Sequence, residues 1–178
     1  MLVTEQQRHL TKREMINLGS YYTKTHLVDI VFDLIHKNIP LDIREYTILD
    51  SSCGYGSFFD NKSIKDNKKI GADIDKQALI RAKQNLPDLN LFHHNSLMVL
   101  GRPDYRLLGN EKLIIIGNPP YNDTTSIIRN EIKSEIQHNI HPKFKTRDLG
   151  ISFLKSYAEL DADFICVLHP LSYLIKKA

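Results

Sequence analysis

Lys112-Leu-Ile-Ile-Ile-Gly-Asn-Pro-Pro-Tyr121 is the stretch that decides the fold. Residues 112–117 read as a strand, apolar without alternation from Leu113 onward. A strand with one face in water alternates; a continuous apolar run fits a strand covered on both faces, the usual state in a parallel sheet. Pro119 and Pro120 offer no N–H and stop it. Working outward, residues 47–52, 68–74, 89–94 and 161–169 read as further strands. Helical patterns lie between them. Residues 76–85 put Ala78, Leu79 and Ala82 on one face, and 125–138 and 147–160 are helix-prone. Upstream, residues 25–37 place Leu27, Ile30, Val31, Leu34 and Ile35 at helical spacing, with Pro40 just past the end, and residues 4–17 are polar and helix-prone. Strands alternating with helices predict an α/β fold with a mostly parallel sheet and crossover connections.

Composition narrows the class. The chain has 178 residues, enough for one domain with a core. A net charge of +3 and a pI near 8.8 are compatible with a polyanionic partner without requiring one. Cys53 and Cys166 are far apart and lack metal-ligand spacing, which argues against a disulfide scaffold and for a reducing compartment. The polar start, MLVTEQQRHLTKRE, has no apolar signal core, and no run reaches the roughly 20 apolar residues a membrane span needs. The expectation is a soluble cytoplasmic protein.

In open α/β sheets ligands bind beyond the carboxyl ends of the strands. The unusual residues fall there. Asp50-Ser-Ser-Cys-Gly-Tyr-Gly-Ser-Phe-Phe59 follows the first strand. Its Gly54 and Gly56 allow a ligand close to the main chain, or simply form a strand-to-helix turn. Gly71-Ala-Asp-Ile-Asp75 closes the second strand. Asp73 is placed to accept two ribose hydroxyls, and Asp75 to cap the next helix; either acid could also be a turn residue. In Asn118-Pro-Pro-Tyr121 the prolines hold the Asn118 side chain and the Pro119 carbonyl rigidly beside a flat ring. Two uncharged acceptors and a stacking plate suit a planar base with an exocyclic amine; the alternative is a proline-rich turn with a core tyrosine. His93-His94 has no partner ligands for a metal, and none is expected.

Taken in order, these segments resemble the N6-adenine DNA methyltransferases of restriction–modification systems in the γ motif order. Gly19-Ser-Tyr-Tyr-Thr23 resembles their upstream cofactor motif, which implies that Tyr21, Tyr22 and Thr23 contact S-adenosylmethionine. The 50–59 segment resembles their Asp-Pro-Ala-Cys-Gly-Ser-Gly-Thr-Phe-Leu loop, implying Asp50, Ser52, Cys53, Gly54 and Gly56 as cofactor residues. Asp73 matches the ribose-binding acid, with Ile74 beside it. Asn95, followed by Ser96, stands where the family usually has an aspartate that reads the cofactor's adenine. An amide both donates and accepts, so it can still read that edge, without a charge-assisted bond. Asn118, Pro119, Pro120 and Tyr121 match the catalytic tetrapeptide, and Asn118 also borders the cofactor. Asp148 to Leu154 and Val167-Leu-His-Pro170 resemble the following helix and strand. Ser51, Ser52 and Tyr55 replace Pro, Ala and a small residue.

The resemblance implies a Rossmann-like methyltransferase sheet. Residues 1–45 would form an N-terminal helical segment carrying the Gly-Ser-Tyr-Tyr-Thr motif, and 46–178 the catalytic core. Family members continue with two more strands and a target-recognition domain. The chain therefore resembles an N-terminal catalytic part whose sheet is short at its C-terminal strands. Such a part is expected to bind cofactor but to bind DNA weakly, to methylate little alone, and to take a partner subunit or self-associate. The implied reaction is methyl transfer to the N6 amine of an adenine flipped out of DNA. Asn118 and the Pro119 carbonyl would accept the two N–H bonds, and Tyr121 would stack on the base. Arg129, Lys133, Lys143, Lys145 and Arg147, with His138 and His141, could meet phosphates or form an ordinary solvated face. Two alternatives stay open: a methyltransferase acting on RNA or on a protein glutamine, and a non-catalytic cofactor-binding fragment.

Overall fold

The structure, a computed structural model, describes residues 22–40, 42–121 and 139–171. The expected helices at 4–17 and 125–138, and Gly19 to Tyr21, lie outside the described residues. Five strands, β1 (Thr47–Asp50), β2 (Lys69–Asp73), β3 (Asn90–His93), β4 (Leu113–Gly117) and β5 (Phe164–Val167), form one sheet in the order β3-β2-β1-β4-β5. Every pairing is parallel. The described α-helices are α1 (Thr25–Asn38), α2 (Lys76–Asn85) and α3 (Leu149–Ala158). The fold is thus the Rossmann-like α/β class expected, with elements shorter than the sequence reading by one to three residues at most ends.

The apolar run of β4 is explained by two faces. Ile114 and Ile116 join Ile48 of β1 in a core with Val31, Phe32 and Phe59. Leu113 and Ile115 join Leu49 in a second core with Leu149, Phe153 and Tyr157 of α3. Alternate residues of one strand serve opposite layers, so none is free to be polar. Asp75 accepts from the N–H groups of Gln77 and Ala78 at 2.9 and 3.1 Å, and so caps α2. Asp148 caps α3 in the same way through Gly150 and Ile151. Below the sheet, the Arg102 guanidinium donates to four carbonyls, those of Leu108, Glu111, Leu160 and Asp161, tying the loops that enter β4 and β5. Among the described residues no helix is long and apolar enough to cross a membrane.

Two expectations need correction. α1 buries Val28, Val31, Phe32 and Ile35, while Ile30 and Leu34 are 50% and 49% exposed. Residues 28, 31, 32 and 35 share one helical face as well as 27, 30, 31, 34 and 35 do; with apolar residues on both stripes, the sheet selects. The crossovers also differ. Between β1 and β2 the chain makes only 3-10 turns, at Ser57–Asp60 and Lys62–Ile64, and between β3 and β4 again only 3-10 turns, at Ser96–Met98 and Arg102–Tyr105. Gly54, Gly56, Asn61, Asp66 and Asn67 are weak helix formers, and the first crossover instead drives Phe58, Phe59 and Ile64 into the core.

Candidate functional site

The strand order turns back between β1 and β4: β2 and β3 lie on one side of β1, β4 and β5 on the other. A cleft opens beyond the carboxyl ends at this switch, where such sheets take ligands. It is open to solvent along one side. Tyr22, Thr23, Asp50, Ser52, Cys53, Gly54, Asp73, Ile74, Asn95, Ser96, Asn118 and Pro120 all line it. Residues from five separate segments therefore meet around one space. Gly56, Pro119 and Tyr121 are not on its lining, and Tyr21 lies outside the described residues.

The glycine loop is shaped by Asp73. Gly54 N–H donates to its Oδ2 at 2.7 Å, and Asp75 N–H to its Oδ1 at 2.8 Å. Gly54 and Gly56 hold φ of +51° and +80°, values that carry a steric cost for residues with a Cβ. Cys53 N–H reaches the Ala72 carbonyl at 2.9 Å while its thiol is buried, packed where Gly71 leaves room for it. Ser96 Oγ donates to the Ser51 carbonyl at 2.6 Å, so its hydroxyl braces this loop. Ser52 Oγ is buried, beside Asp50, and makes no hydrogen bond of good geometry among the described residues.

Asp50 and Asp73 bring two carboxyls to the cleft. Burial pushes Asp50 up to about 8; the charge of Asp73 adds to this, and the Ser52 N–H opposes it. Burial likewise raises Asp73 to about 6, against the stabilising N–H groups of Asp75 and Gly54. A buried carboxyl is costly to ionise unless a positive group arrives. Between its unfolded value and its folded one, Asp50 binds a proton that the unfolded chain has lost. Stability should therefore fall as pH rises through this window, by up to about 1.4 kcal/mol per pH unit. Urea unfolding between pH 6.5 and 8.5 should show that loss in the native chain. It should be much reduced in Asp50→Asn, which keeps the acceptor for Ser52; equal slopes would rule out Asp50 as the source.

Asn118 is set by tertiary contact. Its Nδ2 donates to Oγ1 of buried Thr23 at 3.3 Å, a partner 95 positions upstream, which leaves Oδ1 as an available acceptor. Next to it stands Gly117, at φ +142°. A Cβ there would lie 2.6 Å from Asp50 Oδ1. In the sequence Gly117 is only the last residue of a strand, a glycine between an apolar run and Asn-Pro. Tyr55, Ser57, Phe58 and Phe153, which nothing in the sequence marks as site residues, also stand on the cleft wall.

Asn95 lines the cleft with its amide bonded within the chain. Its Oδ1 accepts from Leu97 N–H at 3.0 Å and its Nδ2 donates to the Asn139 carbonyl at 2.6 Å. Both ends of the amide are engaged by the chain itself. His94 stacks on Phe92 and meets Tyr105 edge-on, and His93 contacts the Ile74 carbonyl. Among the described residues no group of three metal-ligating side chains forms. Of the basic segment, Lys143 is ion-paired with Glu159, while Lys145 and Arg147 are exposed; Arg129, Lys133 and His138 lie outside the described residues.

No family model matches the sequence, and no curated protein does. Solved structures share the fold. A protein from Pyrococcus horikoshii described as a candidate RNA methyltransferase superposes with a TM-score of 0.58 at 17% identity, over 90% of this chain and 68% of that one. The type IIG restriction endonuclease BpuSI gives 0.58 at 16%, over 91% of this chain and 22% of that one. The methyltransferase subunit of a type I restriction–modification system from Streptococcus thermophilus gives 0.50 at 16%, over 95% and 35%. The class these likenesses define is the Rossmann-like methyltransferase fold. This chain spans about a fifth and a third of the two restriction-system proteins.

Proposed function

We propose that the cleft binds S-adenosylmethionine and that Asn118 and Pro119 present the N6 amine of an adenine in DNA to its methyl group. The observation that carries this reading is the shared cleft: Asn118, its Nδ2 already held by Thr23, lines the same space as Asp50, Asp73 and the glycine loop. The donor set fits the cofactor. Asp73 uses one bond on each oxygen for backbone N–H groups, and a carboxylate oxygen takes a second donor, such as a ribose hydroxyl. An ammonium arriving beside Asp50 would favour its ionised form, and Ser52 Oγ adds a buried hydroxyl that makes no hydrogen bond among the described residues. Bound there, S-adenosylmethionine supplies an electrophilic methyl with a neutral thioether as leaving group.

The chain's own contribution is placement. The adenine amine is a weak nucleophile because its lone pair is delocalised into the ring. Asn118 Oδ1 and the Pro119 carbonyl accept its N–H bonds and favour the pyramidal nitrogen that forms as the methyl arrives. One N–H proton is then lost to solvent. Tyr121, two residues on, stacks on the flipped base, and exposed Lys145 and Arg147 offer phosphate contacts. Calorimetry with S-adenosylhomocysteine should show binding, and Asp73→Ala should weaken it by about 1.5–3 kcal/mol, the range for hydrogen bonds to a charged group. Transfer of labelled methyl to DNA, RNA and glutamine-bearing protein, with the product nucleosides separated, tests the substrate. Label appearing in RNA or protein but never as N6-methyladenine in DNA would overturn the DNA reading.

A further inference from the structure

The end of β3 is cross-linked to chain that returns after the Asn118 loop. Asn95 Nδ2 donates to the Asn139 carbonyl at 2.6 Å, and His141 N–H donates to the Leu97 carbonyl at 3.0 Å. Ile140, between them, packs against the core on the α3 side of the sheet, and Phe144 just beyond is buried. Asn95, Ser96 and Leu97 form one wall of the cleft. Residues 139–141 therefore hold that wall from outside the cleft, and one of the two links depends on the Asn95 amide. An aspartate could accept from Leu97 N–H but has no proton for the Asn139 carbonyl, and would set two acceptors against each other.

We propose that Asn95 is a positioning residue that latches the 139–141 segment to the cleft wall and so shapes the pocket, rather than reading the edge of a bound adenine. This rests on the cofactor reading above for its ligand, though not for the latch itself. The two roles give opposite signs for Asn95→Asp. An edge reader would gain a charge-assisted bond to the adenine amine and bind more tightly. A latch would be broken, and affinity would fall about two- to tenfold, the net worth of one hydrogen bond.

The experiment uses the full chain as wild type, Asn95→Asp and Asn95→Ser. The serine hydroxyl can still cap Leu97 N–H and is too short to reach Asn139. Hydrogen exchange without ligand reads the latch: the His141 amide should exchange at least about tenfold faster in both variants. Calorimetry with S-adenosylhomocysteine reads the pocket, where both variants should bind more weakly. Unchanged His141 protection, faster exchange with unchanged affinity, or tighter binding by Asn95→Asp would each overturn the proposal. Should the wild type not bind S-adenosylhomocysteine, the cofactor reading fails, and His141 exchange by itself decides whether Asn95 is a latch.

Discussion

In the chain joined to a recognition domain, the context in which the proposed reaction would run, Asn118→Ala should lower methyl transfer by about 100- to 1,000-fold while leaving S-adenosylhomocysteine affinity nearly intact. The magnitude is that of removing one preorganised group aimed at charge developing in a transition state. Thr23 is what makes Asn118 preorganised: with Nδ2 on the threonine hydroxyl, the carboxamide need not rotate to offer Oδ1. Alanine deletes that acceptor and leaves Asp50, Asp73 and the glycine loop in place. Rates come from labelled-methyl transfer to adenine-containing DNA, and affinities from calorimetry on the same preparations. An alanine variant within about tenfold of the native rate would take Asn118 out of the reaction, since one lost acceptor of this kind costs more. Loss of cofactor binding in step with rate would make it part of the cofactor site instead.

Gly117→Ala should destabilise the chain by about 3 kcal/mol or more, a large share of a domain's total stability. Two costs add. The backbone sits at φ +142°, where an L residue is strained by about 1–3 kcal/mol. The new methyl would also lie 2.6 Å from Asp50 Oδ1 and 3.0 Å from its carboxyl carbon, and such overpacking costs about 1–3 kcal/mol. Asp50 is itself buried and bonded to Ser52 N–H, so it cannot simply swing away. Urea unfolding gives the number. Asp50→Ala in the same background should recover part of the loss by making room; no recovery would assign the whole cost to backbone strain.

What could be read from residues alone had local causes. The run at 113–117 is a buried strand because it has no polar alternation, and it ends because Pro119 and Pro120 lack N–H groups. α2 begins at Lys76 because Asp75 offers a carboxylate to the N–H groups of Gln77 and Ala78. Such effects act within a few positions, so a linear reading finds them. The order of the strand-end segments was legible too, because each sits at the carboxyl end of a strand and parallel strands bring those ends together.

Tertiary structure decided the rest. It chose Val28, Val31, Phe32 and Ile35 over the stripe through Ile30 and Leu34, since α1 carries two apolar stripes and the sheet can cover one. It made Gly117 obligatory through Asp50, aimed Asn118 through Thr23, and tied Asn95 to Asn139 across 44 positions. The Asn95 amide donates to one partner and accepts from the other. Those partners, an N–H two residues on and a carbonyl far downstream, exist together only after the chain has folded.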